Sequence, residues 1–192
     1  MRIRAVVPAL ALIAVLGAAC SSSDDPSTVD AGGQTTTGAA AKHNDADVEF
    51  AQMMIPHHEQ ALEMAQLAAT RAASEDVKAI ASRIEAAQSP EIEEMTGWLA
   101  EWDEDVEPMG GMDPEGSGMM SDSEMTELEA ASGAEFDRMF LDMMVAHHTG
   151  AIEMAETEIA DGQFADALAL AEAIKSAQES EIAEMETLLE QL

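Results

Sequence analysis

The chain has 192 residues, with 39 Asp and Glu against 8 Lys and Arg and a formal net charge of −31 at pH 7. Such acidity excludes nucleic acid and anionic surfaces as electrostatic partners and favours the attraction of cations. No Tyr, four Phe and two Trp leave Ala, Leu, Ile and Met to build the core, and the single cysteine rules out a disulfide within one chain.

Arg2 and Arg4 precede an apolar run from Val6 to Ala19, the pattern of an export signal spanning residues 1–19. Small residues lead to Leu16-Gly17-Ala18-Ala19-Cys20, which resembles a bacterial lipobox. That resemblance implies cleavage before Cys20, lipid on this cysteine and anchorage to a membrane on its extracytoplasmic side. Loss of Arg2 and Arg4 with the leader takes the net charge from −31 to −33. Residues 20–44 are rich in Ser, Thr, Gly, Asp and Ala and read as a tether between lipid and domain.

The domain follows over residues 45–192, and long Ala/Glu/Met/Leu-rich stretches make it all-α. Asp45 or Asp47 can cap a first helix to about Ala72. Ser74 can cap a second from Glu75 to about Trp102, in which Pro90 predicts a bend or a break. These make a first repeat over residues 47–102. A Gly/Pro/Met-rich connection occupies residues 103–122, and Ser121 with Glu124 forms a capping box for a short helix to about Ser132. The second repeat, residues 135–192, holds a helix to about Ala160, a turn at Asp161-Gly162 and a last helix to Leu192. Four long helices, paired as two similar hairpins, predict a four-helix bundle.

The duplication is visible in Met53-Met54-Ile55-Pro56-His57-His58 and Met143-Met144-Val145-Ala146-His147-His148, each followed by an apolar residue, Glu and Met, ending at Met64 and Met154. The offset of 90 residues holds without a gap from Phe50/Phe140 to Leu99/Leu189. At about 100° per residue, Phe50, Met53, Met54, Ala61 and Met64 fall within about 60° of His57, so His57 and its counterpart His147 face the interior. His58 and His148 sit about 100° round, at the boundary with a neighbouring helix or water. In the partner helices Gln88 and Glu91 recur as Gln178 and Glu181, and both carboxylates accompany the core-facing set.

Thioether and imidazole together bind soft or borderline cations, and a mixture of Met and His favours copper, chiefly Cu(I), over zinc. The candidate ligands are His57, His58, His147, His148, Met53, Met54, Met64, Met143, Met144 and Met154, forming one site or a symmetric pair. Glu91, Glu181, Gln88 and Gln178 are candidates to orient the imidazoles through their second nitrogen. Met109, Met112, Met119 and Met120 lie in a segment where packing explains them poorly, and a Cu(I) capture loop would explain them. The competing expectation is a non-enzymatic interaction bundle with core-filling methionines and structural histidines. No Ser/His/Asp or Cys nucleophile arrangement presents itself, so no catalysis is expected.

Over about Asp47 to Leu192 the chain resembles the bacterial exported proteins grouped as domain of unknown function 305. Asp47, Phe50, Met54, His57-His58, Ala61, Met64-Ala65, Gln88, Glu91-Ile92, Met95 and Trp98-Leu99 carry the resemblance. So do Phe136-Asp137, Phe140, Met143-Met144, His147-His148, Gly150-Ala151 and Met154-Ala155. It implies a ferritin-like bundle with two helices per repeat. It also implies, by likeness to copper-binding members, a copper role in buffering, resistance or delivery to a metal-transfer partner. The ferritin-like rival, a di-iron oxidase, needs Glu three residues before His. Here Met54, Ile55, Met144 and Val145 stand at those positions.

Overall fold

Asn44 opens the first helix. Its side chain accepts from the Ala46 and Asp47 N–H groups, and Asp47 returns a carboxylate oxygen to the Asn44 N–H at 2.6 Å, closing a capping box. The cap is therefore Asn44 and not Asp45 or Asp47, because Asp47 is held elsewhere, as described below. The computed structural model describes residues 42–106 and 117–192. The leader, Cys20, the tether up to residue 41, and Met109 and Met112 lie outside the described residues. The last tether residues belong to the domain: His43 stacks on Trp102 with ring centroids 4.4 Å apart.

Among the described residues five helices follow in order: α1 (Asp45–Arg71), α2 (Glu75–Trp102), α3 (Asp122–Ala130), α4 (Ala134–Asp161) and α5 (Ala165–Leu189). Ser74 caps α2 and Ser121 with Glu124 caps α3, as their sequence signatures predict. The break expected at Pro90 does not occur, since α2 runs through it without interruption. Proline costs one backbone bond there, and full turns on both sides hold the helix together. The Ser89 hydroxyl also donates to the Glu85 carbonyl at 2.7 Å. The short helix stops at Ala130, before Ser132, because the Gly133 N–H is drawn to the Arg71 carbonyl at 2.8 Å with Gly133 at φ +67. The last helix ends at Leu189, three residues early, and the terminal Leu192 is exposed.

Helices α1 and α2 form one hairpin and α4 and α5 the other, with α1 packed on α4 and little contact between α2 and α5. This is the all-α bundle of two repeated hairpins. Two apolar clusters make its core. One holds Ala61, Met64, Ile80, Ile84, Phe136, Phe140 and Met144, and the other Phe50, Met54, Met95, Trp98, Leu99, Ala151 and Ile174. The N-terminal half of α1 and the C-terminal half of α4 supply the second cluster, and their other halves supply the first, so the two helices run antiparallel. Between the clusters, at mid-helix, lie the His-His pairs. Full burial of each large apolar side chain contributes roughly 1.5–3 kcal/mol.

Reciprocal caps tie the hairpins together. Asp47 on α1 accepts from the Gln163 and Phe164 N–H groups at the entry to α5, at 2.9 and 2.8 Å. Its repeat counterpart, Asp137 on α4, accepts from Ala73 and Ser74 at the entry to α2, at 3.0 and 2.9 Å. Each hairpin thus satisfies the exposed amides of the other. The second repeat carries an addition: Glu158, 1 % exposed, lies against Asp47. Burial, and then the Asp47 carboxylate, push the Glu158 carboxyl up to about 8. Burial raises Asp47 too, but the Phe164, Asn44 and Gln163 amides outweigh it and hold this carboxyl low.

Replacing Asp137 by Ala leaves two amides without their acceptor and is expected to cost about 1.5–3 kcal/mol in urea unfolding. Glu158 ionises in the unfolded chain above its ordinary value of 4.5 but stays protonated in the fold until about 8, so stability declines as pH rises across that window. Thermal unfolding at pH 5 and pH 8 should show this decline in the parent and a flatter profile in Glu158→Gln. An equal slope in both would exclude Glu158 as its source.

Candidate metal centre

All four imidazoles of the doublets are fully buried, each at 0 % exposure. His57 and His147 face one another where α1 meets α4, with ring centroids 3.7 Å apart and planes inclined by 38°. The helical reading places this pair inward, as observed. The two repeats thus bring these two rings to one place in the bundle. His58 and His148, expected at the boundary, are as buried as the other two because α2 and α5 close over them. Glu91 meets His58 Nε2 at 2.8 Å, and Glu181 meets His148 Nε2 at 2.7 Å. The carboxylates themselves lie at the margin, with side chains 20 % and 17 % exposed.

These contacts settle which nitrogen the His57, His58 and His148 rings have to spare. The carboxylates of Glu91 and Glu181 accept from Nε2–H, and the Ser117 carbonyl accepts from His57 Nε2–H at 3.1 Å. In the neutral ring the other nitrogen, Nδ1, then carries a lone pair. The Nδ1 atoms of His57, His58, His147 and His148 are all buried without a partner at hydrogen-bond geometry, as is Nε2 of His147. Burial, reinforced by the neighbouring His58, lowers His57 to about 3. Burial, followed by His57, takes His147 well below its ordinary value. Both rings are therefore neutral in the physiological range, the state in which imidazole donates electrons.

The methionines separate by position. Met54 and Met144, three residues before His57 and His147, are at 0 % exposure. Helical side chains lean toward the preceding turn, so these thioethers are on the side toward which the imidazoles tilt. Met64 is also fully buried, within the cluster that includes Met144, while Met53, Met143 and Met154 are half-buried, Met143 packed against that cluster and Met154 against the other. Gln88 and Gln178 are buried at 3 % exposure, and neither bonds to a histidine. Met119 is half-buried and Met120 is 9 % exposed within the core, so packing does account for Met120, against the expectation from its Gly/Pro-rich surroundings. Among the described residues no three His, Cys, Asp or Glu side chains converge as a ligand set.

Three features of this region escape the sequence reading. Ser117 and Gly118 return from the connection to lie across the imidazole layer, with Gly118 at φ +75. Gln60 holds the next turn of chain, donating to the Met120 carbonyl at 2.8 Å and accepting from its N–H at 2.7 Å. Gly150, the repeat counterpart of Gln60, has no side chain because a Cβ there would collide with the Ser117 carbonyl. The mismatch of Gln with Gly between copies was the available signal.

A family model described as "Domain of unknown function (DUF305)" matches residues 47–189. No curated protein matches the chain. Among solved structures, a DUF305 protein from Streptomyces coelicolor is 31% identical with a TM-score of 0.70, over 76% of this chain and 93% of its own. A DUF305 fragment from Deinococcus radiodurans is 29% identical with a TM-score of 0.72, over 78% and 98%. CopM in its Cu(I)-bound form is 30% identical with a TM-score of 0.64, over 76% and 96%. CopM has also been solved with Cu(II) and with Ag. No described helix is long and apolar enough to cross a membrane. The chain belongs to the family of domain of unknown function 305.

Proposed function

We propose that this protein binds copper, chiefly as Cu(I), between its two repeats, and that it buffers the ion or hands it to a transfer partner outside the cytoplasm. The observation that carries the reading is the set of four buried Nδ1 atoms with nothing to bond, on rings of which three are oriented through Nε2 by a carboxylate or a carbonyl. Metal-binding imidazoles are held in this way. A buried polar nitrogen left unsatisfied costs roughly 1–3 kcal/mol, and coordination would remove that cost. The structural likeness to CopM, solved with Cu(I), Cu(II) and Ag, supports the choice of ion. His57, His147, Met54 and Met144 would be the ligands, with His58 and His148 adjoining. Glu91 and Glu181 would hold the imidazoles in register.

A cargo role needs no reacting group, and we assign none. The acidic surface would concentrate cations near the domain. Lipid attachment at Cys20 would keep it on the outer side of a membrane. The relative from Streptomyces coelicolor, catalogued as a candidate secreted protein, supports export.

Competition against a chromophoric Cu(I) chelator tests the binding. The His57→Ala/His147→Ala double variant is expected to lose at least 10-fold in affinity with its helicity intact, and parental affinity in that variant would exclude the two rings as ligands. The low position of His57, about 3, gives a second expectation. Because the folded rings refuse protons that the unfolded rings accept below about 6.5, stability should fall as pH drops from 6.5 toward 3. In an NMR titration the His57 and His147 ring signals should stay unshifted between pH 8 and 5, and a midpoint near 6.5 would contradict their desolvation.

A further inference from the structure

A centre at 0 % exposure poses a problem of access, because a cation needs an entry path. The long helices that wall the imidazole layer are held by continuous backbone ladders, and opening them would breach the core. One neighbour is different. Residues 117–120 form a short non-helical strap before α3, and its Ser117 carbonyl sits on His57 Nε2 at 3.1 Å.

We propose that this strap is the gate to the buried imidazole pair, latched by the Gln60 side chain and seated on Gly150. The inference concerns access to the rings, and its link to copper rests on the function proposed above. Gln60 and Gly150 occupy equivalent positions in the two repeats, and both serve the strap by opposite means. Gln60 grips the Met120 backbone with two hydrogen bonds, at 2.7 and 2.8 Å. Gly150 lets the Ser117 backbone lie directly on α4, and Gly118, at φ +75, makes the turn that brings it there. The strap carries no helical backbone ladder, so lifting it, with Met120 drawn out of the core, costs less than opening one of the long helices. Its opening would free His57 Nε2 together with the path to both rings. Among the described residues the strap lies across one of two repeat-related positions, so the door is one-sided although the imidazoles come in equivalent pairs.

The test uses the intact chain with Gln60→Ala, which removes the latch, and Gly150→Ala, whose added methyl displaces the Ser117 carbonyl. Access is read without metal, as the rate at which diethyl pyrocarbonate modifies His57 and His147, located by peptide mass spectrometry. It is read with metal as the rate of Cu(I) capture from a chromophoric chelate. Modification is expected to accelerate at least 10-fold in either variant. Cu(I) capture should quicken likewise, with the amount bound at saturation unchanged. Gln60→Glu, which keeps the acceptor for the Met120 N–H and loses the donor, should fall between. Circular dichroism confirms that the helices persist. Parental modification rates in both substituted chains would overturn the gate. Faster modification in a protein whose parent takes up no Cu(I) would keep the gate and remove the copper reading.

Discussion

Contact between His57 and His147 at the crossing of α1 and α4 sets the terms for the rest of the molecule. Two neutral rings with centroids 3.7 Å apart sit where a bundle of this composition would otherwise place Leu or Met. Burial drives out their protons, which removes mutual repulsion but strands lone pairs that water would have satisfied. The surrounding structure answers only half of that demand. Glu91, Glu181 and the Ser117 carbonyl take up three Nε2–H groups, and four Nδ1 atoms are left over. An apolar layer would serve stability better, and the proposed cation binding would account for imidazoles in its place.

Duplication supplies the frame, and divergence between the copies supplies its direction. Asp47 and Asp137 have kept one role, each capping the other hairpin, and they fix the register in which the two doublets meet. Elsewhere the copies have parted. Glu158 stands where the first repeat has Ala68, and it crowds a second carboxyl against Asp47 at a cost that grows with pH. Gln60 and Gly150 have parted to accommodate the strap. The result is a layer symmetric in its imidazoles and asymmetric in its surroundings.

Much of this was legible before any coordinates. The constant offset of 90 residues identified the hairpins, and helical periodicity turned His57 and His147 inward, because both signals depend only on local geometry. The pairing of His58 with Glu91 was half visible, since the carboxylate's face could be read but the closeness of α2 to α1 could not. What escaped reading depends on partners distant in sequence. The cap from Asp47 reaches residues 116 and 117 positions away. Met120 looked solvent-exposed by composition, yet it is pinned into the core by Gln60, 60 residues earlier. Pro90 does not break α2, because full helical turns on both sides carry the helix through it.

Taken together, the buried imidazole nitrogens, their orienting acceptors and the buried Met54 and Met144 support the proposed soft-cation centre where the two hairpins meet. Extended X-ray absorption at the copper edge, recorded on the Cu(I)-loaded chain, tests this most directly because it reports the donor atoms themselves. The account predicts imidazole scattering together with a sulfur shell, the sulfur lost when Met54 and Met144 are both replaced by Leu. A spectrum of oxygen donors alone, without imidazole or sulfur, would place the ion on the acidic surface and contradict the assignment of the buried rings.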